Sequence, residues 1–127
     1  MNWVDESLAD FGRSMGLETL AFNDQGVVSL SFEAWGELYL ERLQDGLLLY
    51  LCRGLDRPDA GLYARALELC HWRHNHAYAV NPAVHDEKLL VFAVRLSQQD
   101  AAAGPALDEA VQLLSRLHDQ THEVIAV

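Results

Sequence analysis

The chain has 127 residues, half of them hydrophobic, with nine basic and nineteen acidic side chains and a formal charge of −10. That length suits one domain, residues 1–127, with one core burying roughly two-thirds of the unfolded surface. The charge argues against nucleic acid or an anionic membrane as partner, and the apolar content argues against disorder.

The longest apolar run, Leu47–Cys52, is too short to cross a bilayer. The acidic start, Met-Asn-Trp-Val-Asp-Glu-Ser, lacks the basic and apolar regions of a secretory signal, so none is expected. Two cysteines, Cys52 and Cys70, make no disulfide framework. Reduced thiols in a cytoplasmic protein are expected.

Asn2 can cap a first helix, in which Val4, Leu8, Phe11 and Met15 recur at helical spacing and Gly16 stops the run. Val28, Leu30 and Phe32 alternate with serines, as in a strand with one wet face. Glu37–Glu41 alternates again, and Gln44-Asp45-Gly46 predicts a hairpin turn. Leu47–Cys52 is apolar on both faces, so both should be covered, one of them by another chain.

Asp56–Asp59 open a second helix, with Pro58 near its first turn. It carries two adjacent stripes: Leu62, Ala66 and Leu69, then Tyr63, Leu67 and Cys70. Together they make an arc wider than one sheet needs, which predicts a second partner. Ala77–Val80 reads as a short strand ending at Asn81-Pro82, and Lys88–Leu96 as a longer one. Residues 101–104 link to a last helix, with Pro105 at its first position and Leu107, Val111, Leu114 and Leu117 buried. The fold class expected is α+β: an antiparallel sheet with helices packed on it, in the order α-β-β-β-α-β-β-α.

Three stretches look like chemistry. Gly12-Arg13-Ser14-Met15-Gly16 matches the G-x-S-x-G string of hydrolases, but no strand precedes it to form the strained elbow that activates the serine. His118-Asp119-Gln120-Thr121-His122 resembles H-E-x-x-H with a shorter acid. A zinc ion there needs a third ligand, with Glu123 the nearest candidate. The plainer reading is two histidines favouring the negative end of a helix. Cys70, His71, His74 and His76 form the best metal candidate, because i, i+3 and i, i+4 pairs share a helical face. Structural zinc usually draws on two separated elements, and Cys70 belongs to the apolar arc. The stretch reads as a helix end at Asn75, with no catalytic residues, metal or cofactor expected. A small metal-binding protein or enzyme using His71, His74 and His76 is the alternative.

The layout, size and charge resemble the class I chaperones of bacterial type III secretion, the Tir-chaperone or CesT-like family. Met1-x-Trp3-Val4, Phe11 and Met15-Gly16 are similar to the first helix of the SycN-type branch. Gly36-x-Leu38-x-Leu40-Glu41, the strand ending near Leu51-Cys52-Arg53, and Leu89-Leu90-Val91-Phe92 are similar to its strands. The resemblance implies a cytoplasmic dimer without ATPase activity. It would bind the extended N-terminal segment of a secreted protein, a channel gatekeeper in this branch, and keep it competent for export. It implies a second helix at the dimer interface, with a second small chaperone or a second copy as partner. The residues expected at the substrate surface are Leu8, Phe11, Phe32, Leu38 and Leu40. Those expected at the dimer interface are Leu62, Tyr63, Ala66, Leu69, Cys70 and Trp72, with Trp72 as an aromatic anchor.

Overall fold

The computed structural model describes residues 3–17, 20–55, 59–71, 74, 76–102 and 105–123. The expected capping residue Asn2, the helix opening at Asp56–Pro58 and the terminator Asn75 lie outside them.

The elements run α1 (Trp3–Ser14), β1 (Val27–Phe32), β2 (Gly36–Arg42), β3 (Gly46–Gly54), α2 (Ala60–Leu69), β4 (Val80–His85), β5 (Leu89–Ser97), α3 (Gln98–Ala101) and α4 (Ala106–Glu123). The five strands form one antiparallel sheet in the order β1-β2-β3-β5-β4. The expected order holds, with a one-turn α3 added where a plain link was expected. Ser97 caps that turn by accepting the Asp100 N–H.

Helices cover one face of the sheet. Leu38 and Leu40 on β2 stand opposite Leu51 and Leu49 on β3, which in turn stand opposite Phe92 and Val94 on β5. All six are completely enclosed. They meet Leu114 and Leu117 of α4 in one core, to which Leu8 and Phe11 of α1 also belong. α4 packs on β3 and β5, while α1, α2 and α3 pack against α4.

Among the described residues no helix covers the opposite face. Leu48, Tyr50, Val91 and Ala93 are half-buried there, and the Tyr39 and Tyr50 rings stack at 5.0 Å and 14°. Both faces of β3 are therefore apolar, as its sequence requires, but only the helix side is sealed within this chain.

Gly36 opens β2 at φ +108, and a Cβ there would collide with the carbonyl oxygen of Cys52 on β3. Only glycine permits both the turn and this approach of backbone to backbone.

One strand departs from the expectation. Ala77–Val80 was expected as a strand ended by Asn81-Pro82, whereas β4 begins at Val80 and runs through Pro82 to His85. Proline lacks a donor, but β4 is an edge strand and can turn the missing N–H to solvent. Pro82 stands opposite Phe92 without breaking the ladder. Val80, Pro82 and Val84 thus share the helix-side face of the edge.

Candidate protein-binding surfaces

The chain offers two surfaces suited to other proteins and no convergent catalytic or metal centre among the described residues. The first surface lies between α2 and β4. Asp59 caps α2, its carboxylate accepting the N–H groups of Gly61 and Leu62 at 2.9 and 3.1 Å. The stripe Leu62, Ala66 and Leu69 is buried in the core. The second stripe is not sealed: Tyr63 and Cys70 are half-buried, and Leu67 is 63% exposed. Across from it Val84 is 41% exposed. Tyr63, Ala66, Leu67, Pro82, Val84 and Leu90 line an apolar groove of about 510 Å³, with Asp86 and Glu87 at its rim.

Of the residues expected at a dimer interface, Leu62, Ala66 and Leu69 therefore belong to this chain's own core. Tyr63 lines the groove, as does Ala66, Cys70 is half-buried, and Trp72 lies outside the described residues. Leu67 belongs to the second stripe but was not assigned to the interface. Asn81-Pro82 reads as a stop in the sequence, which hides Pro82 and Val84 as strand residues at the groove. The alternation Val80-x-Pro82-x-Val84 was the available signal.

The second surface lies at the other edge. β1 ends the sheet with the sequence Val-Val-Ser-Leu-Ser-Phe, free of charge and proline. Leu30 and Phe32 are half-buried, and Phe32 packs on Trp35 with ring centroids 5.1 Å apart. Phe22, also half-buried, lies under the Arg42 guanidinium at 4.6 Å. Arg42 in turn donates to Asp5 of α1 at 2.7 Å.

Among the residues expected to touch a substrate, Phe32 alone keeps an accessible side chain. Leu8, Phe11, Leu38 and Leu40 are 1, 2, 0 and 0% exposed. Leu8 and Phe11 lie in the core where α1 packs against α4, and Leu38 and Leu40 lie in it on the helix-covered face of β2.

The histidines at the end of α2 are engaged separately. His74 Nε2 meets Glu68 Oε1 at 3.0 Å, and Glu68 Oε2 accepts from Arg65 at 3.2 Å. The His76 ring donates to the Leu69 carbonyl at 2.7 Å. Burial pushes the Cys70 thiol up to about 11, so it is no ready metal ligand at neutral pH. Among the described residues, no three His, Cys, Asp or Glu side chains are grouped to hold a metal ion.

His118 corrects a further expectation. Expected as a cationic group at the negative end of a helix, it is instead fully buried, its Nε2–H donating to the Leu51 carbonyl at 2.8 Å and its ring set edge-on to Phe92 at 4.7 Å. Its Nδ1 is buried without a partner. Burial lowers its pKa from 6.5 to about 4, against the backbone bond that favours the charged form.

Ser14 closes α1, its one hydroxyl proton within reach of two acceptors, the Phe11 carbonyl at 2.8 Å and the Asp108 carboxylate at 2.6 Å. With Gly16 at φ +77 just beyond, the G-x-S-x-G string is a helix terminus, not a nucleophile elbow. Among the described residues no helix is long and apolar enough to cross a membrane.

The chain is similar to several solved structures, all below the identity at which more than the fold is shared. A chain in the crystal structure of the Yersinia pestis type III secretion chaperone SycH with a stable fragment of YscM2 matches with TM-score 0.66 and 14% identity, covering 94% of this chain and 99% of that one. A chain of the HopA1–SchA chaperone–effector complex matches with TM-score 0.68 and 20% identity, covering 94% of each. A chain of the ExsC–ExsE complex matches with TM-score 0.66 and 23% identity, covering 93% of this chain and 87% of that one. Comparison with curated protein sequences finds no match. A family model, Type III secretory system chaperone SycN, matches residues 3–124. With that match spanning nearly the whole chain and its fold shared with secretion chaperones, the protein belongs to the SycN-type family of type III secretion chaperones.

Proposed function

We propose that this chaperone binds the N-terminal segment of a type III secreted protein in the cytoplasm and keeps it extended and ready for export. In the SycN-type branch that cargo is the gatekeeper of the secretion channel. A second small chaperone or a second copy occupies the α2–β4 groove.

The observation that carries the cargo reading is the β1 edge. Natural sheets protect their edges with charge, proline or a covering segment, because a bare edge recruits strands from other chains. β4 carries Pro82 and ends in an acidic turn, whereas β1 carries neither charge nor proline. An extended segment adding to β1 would satisfy the backbone groups of both strands. Its alternate side chains would reach the half-buried Leu30, Phe32 and Trp35. Such a segment, disordered when free, gives modest affinity for the area it covers and is released without unfolding a domain. The alternative of a metal-dependent enzyme has no such support, because two of the histidines it needs, His74 and His76, are tied to Glu68 and to the Leu69 carbonyl.

Phe32→Asp tests the reading. The side chain is half-buried at an edge, so the fold should survive, while cargo recovered by co-expression and co-purification should fall at least about tenfold. Full cargo recovery with Phe32→Asp would remove this edge from the binding surface.

A further inference from the structure

The acidic rim of the α2–β4 groove sits on an unusual backbone. β4 and β5 are joined by a turn in which the Lys88 N–H donates to the His85 carbonyl at 3.0 Å. Its two central residues, Asp86 and Glu87, have φ of 53 and 57. A turn with both central residues left-handed ordinarily takes Asn-Gly or Asp-Gly, because glycine adopts this conformation without strain. Glutamate does not. The sequence thus places two exposed carboxylates where a smaller pair would make a more stable hairpin. Both line the groove beside Leu67 and Val84. Asp86 Oδ2 also lies 3.2 Å from His85 Nε2, but His85 itself lines a different concavity, with Tyr39 and Tyr50.

We propose, resting on the groove's assignment as a pairing surface, that the Asp86–Glu87 turn is a charge-selective rim: the groove admits apolar side chains of a partner chain that carries lysine or arginine beside them. The chain's own charge favours a foreign partner over a second copy, which would add another −10. The rim selects by attraction for a basic partner and by repulsion of acidic ones, a copy of this chain included.

The test uses the full chain and two short acetylated peptides, one alternating leucine with lysine and the other leucine with glutamate. The lysine peptide should bind, shifting the amide resonances of Leu67, Val84 and Glu87, and should bind more weakly as salt rises. The glutamate peptide should bind far less. Replacing the turn by Asp86→Asn with Glu87→Gly should raise the melting temperature by a few degrees, because the strain is relieved. The same double variant should weaken the lysine peptide about tenfold, as two rim charges are lost. Equal affinity for both peptides, or a double variant that binds the lysine peptide as well as the parent, would overturn the rim while leaving the groove intact. A Leu67→Asp variant that still binds the lysine peptide at full strength would overturn the groove itself. A homodimer of the parent chain that Leu67→Asp splits would give the groove to a second copy and overturn the basic partner.

Discussion

Leu67→Asp is expected to abolish binding of the partner proposed for the α2–β4 groove and to leave the fold intact, whereas Leu69→Asp is expected to unfold the protein. The two residues are two positions apart on α2 and differ in what covers them. Leu67 is 63% exposed at the groove, so a carboxylate there remains solvated in the free chain. On pairing, that carboxylate would be buried against apolar surface without a partner, which costs at least several kcal/mol. Leu69 is 4% exposed and belongs to the core. A charge at that position costs a similar amount within the single chain, comparable to the whole stability of a domain, about 5–15 kcal/mol. Thermal denaturation with light scattering separates the outcomes. Leu67→Asp should melt near the parent temperature but elute without its partner, and Leu69→Asp should show no cooperative melt. Splitting of the pair by Leu69→Asp with an intact melt would place that residue at the interface after all.

Acid should loosen the protein through His118. The native state holds this ring neutral, with Nε2–H bonded to Leu51 and Nδ1 facing no acceptor. Burial is the largest cause of its low pKa. Arg53 and His122 oppose the charged form as well, while Asp119 favours it. The folded pKa, about 4, is below the ordinary 6.5, so the unfolded chain takes up the proton first. Stability from this group is therefore complete above pH 6.5 and is lost as pH falls towards 4. The loss across that window is roughly 3 kcal/mol, from about 1.4 kcal/mol for each unit of pKa difference. His118→Gln can still donate to the Leu51 carbonyl but cannot titrate. Urea unfolding at pH 7 and pH 4.5 should show a steeper loss for the parent than for this variant. Parallel losses would show that His118 is not the acid-sensitive group.

The fold was legible where one periodicity met one environment. Val28, Leu30 and Phe32 alternate against serines, and Gln44-Asp45-Gly46 marks the hairpin between β2 and β3, with Gly46 already the first residue of β3. The β4–β5 hairpin was not legible, because Asp86-Glu87 is a poor signal for the turn it makes and Pro82 is a poor signal for a strand. Both readings depend on tertiary context: an edge position tolerates proline, and the groove gives a use to carboxylates on a strained turn. The surfaces were half legible. The two stripes of α2 are wider than this chain's own core uses, but which stripe faces outward depends on where α4 lies. Leu62, Ala66 and Leu69 belong to the core, while Tyr63 and Leu67 of the second stripe line the groove with Ala66. Leu8, Phe11, Leu38 and Leu40 are apolar at the spacing that any core requires, and their side chains are enclosed in this chain's core. His118 was misplaced because its spacing to His122 suggests chemistry, while its burial is set by strands distant in sequence.

The central claim is that this chain escorts an exported protein by its N-terminal segment. Affinity purification of the untagged complex from the native host, through an antibody to this chain, followed by mass spectrometry and limited proteolysis, tests it most directly. A type III secreted protein should co-purify, protected over its N-terminal segment, together with a second small chaperone. Recovery of this chain with no exported protein, or with cargo whose N-terminal segment is cleaved as fast as in the free protein, would contradict it.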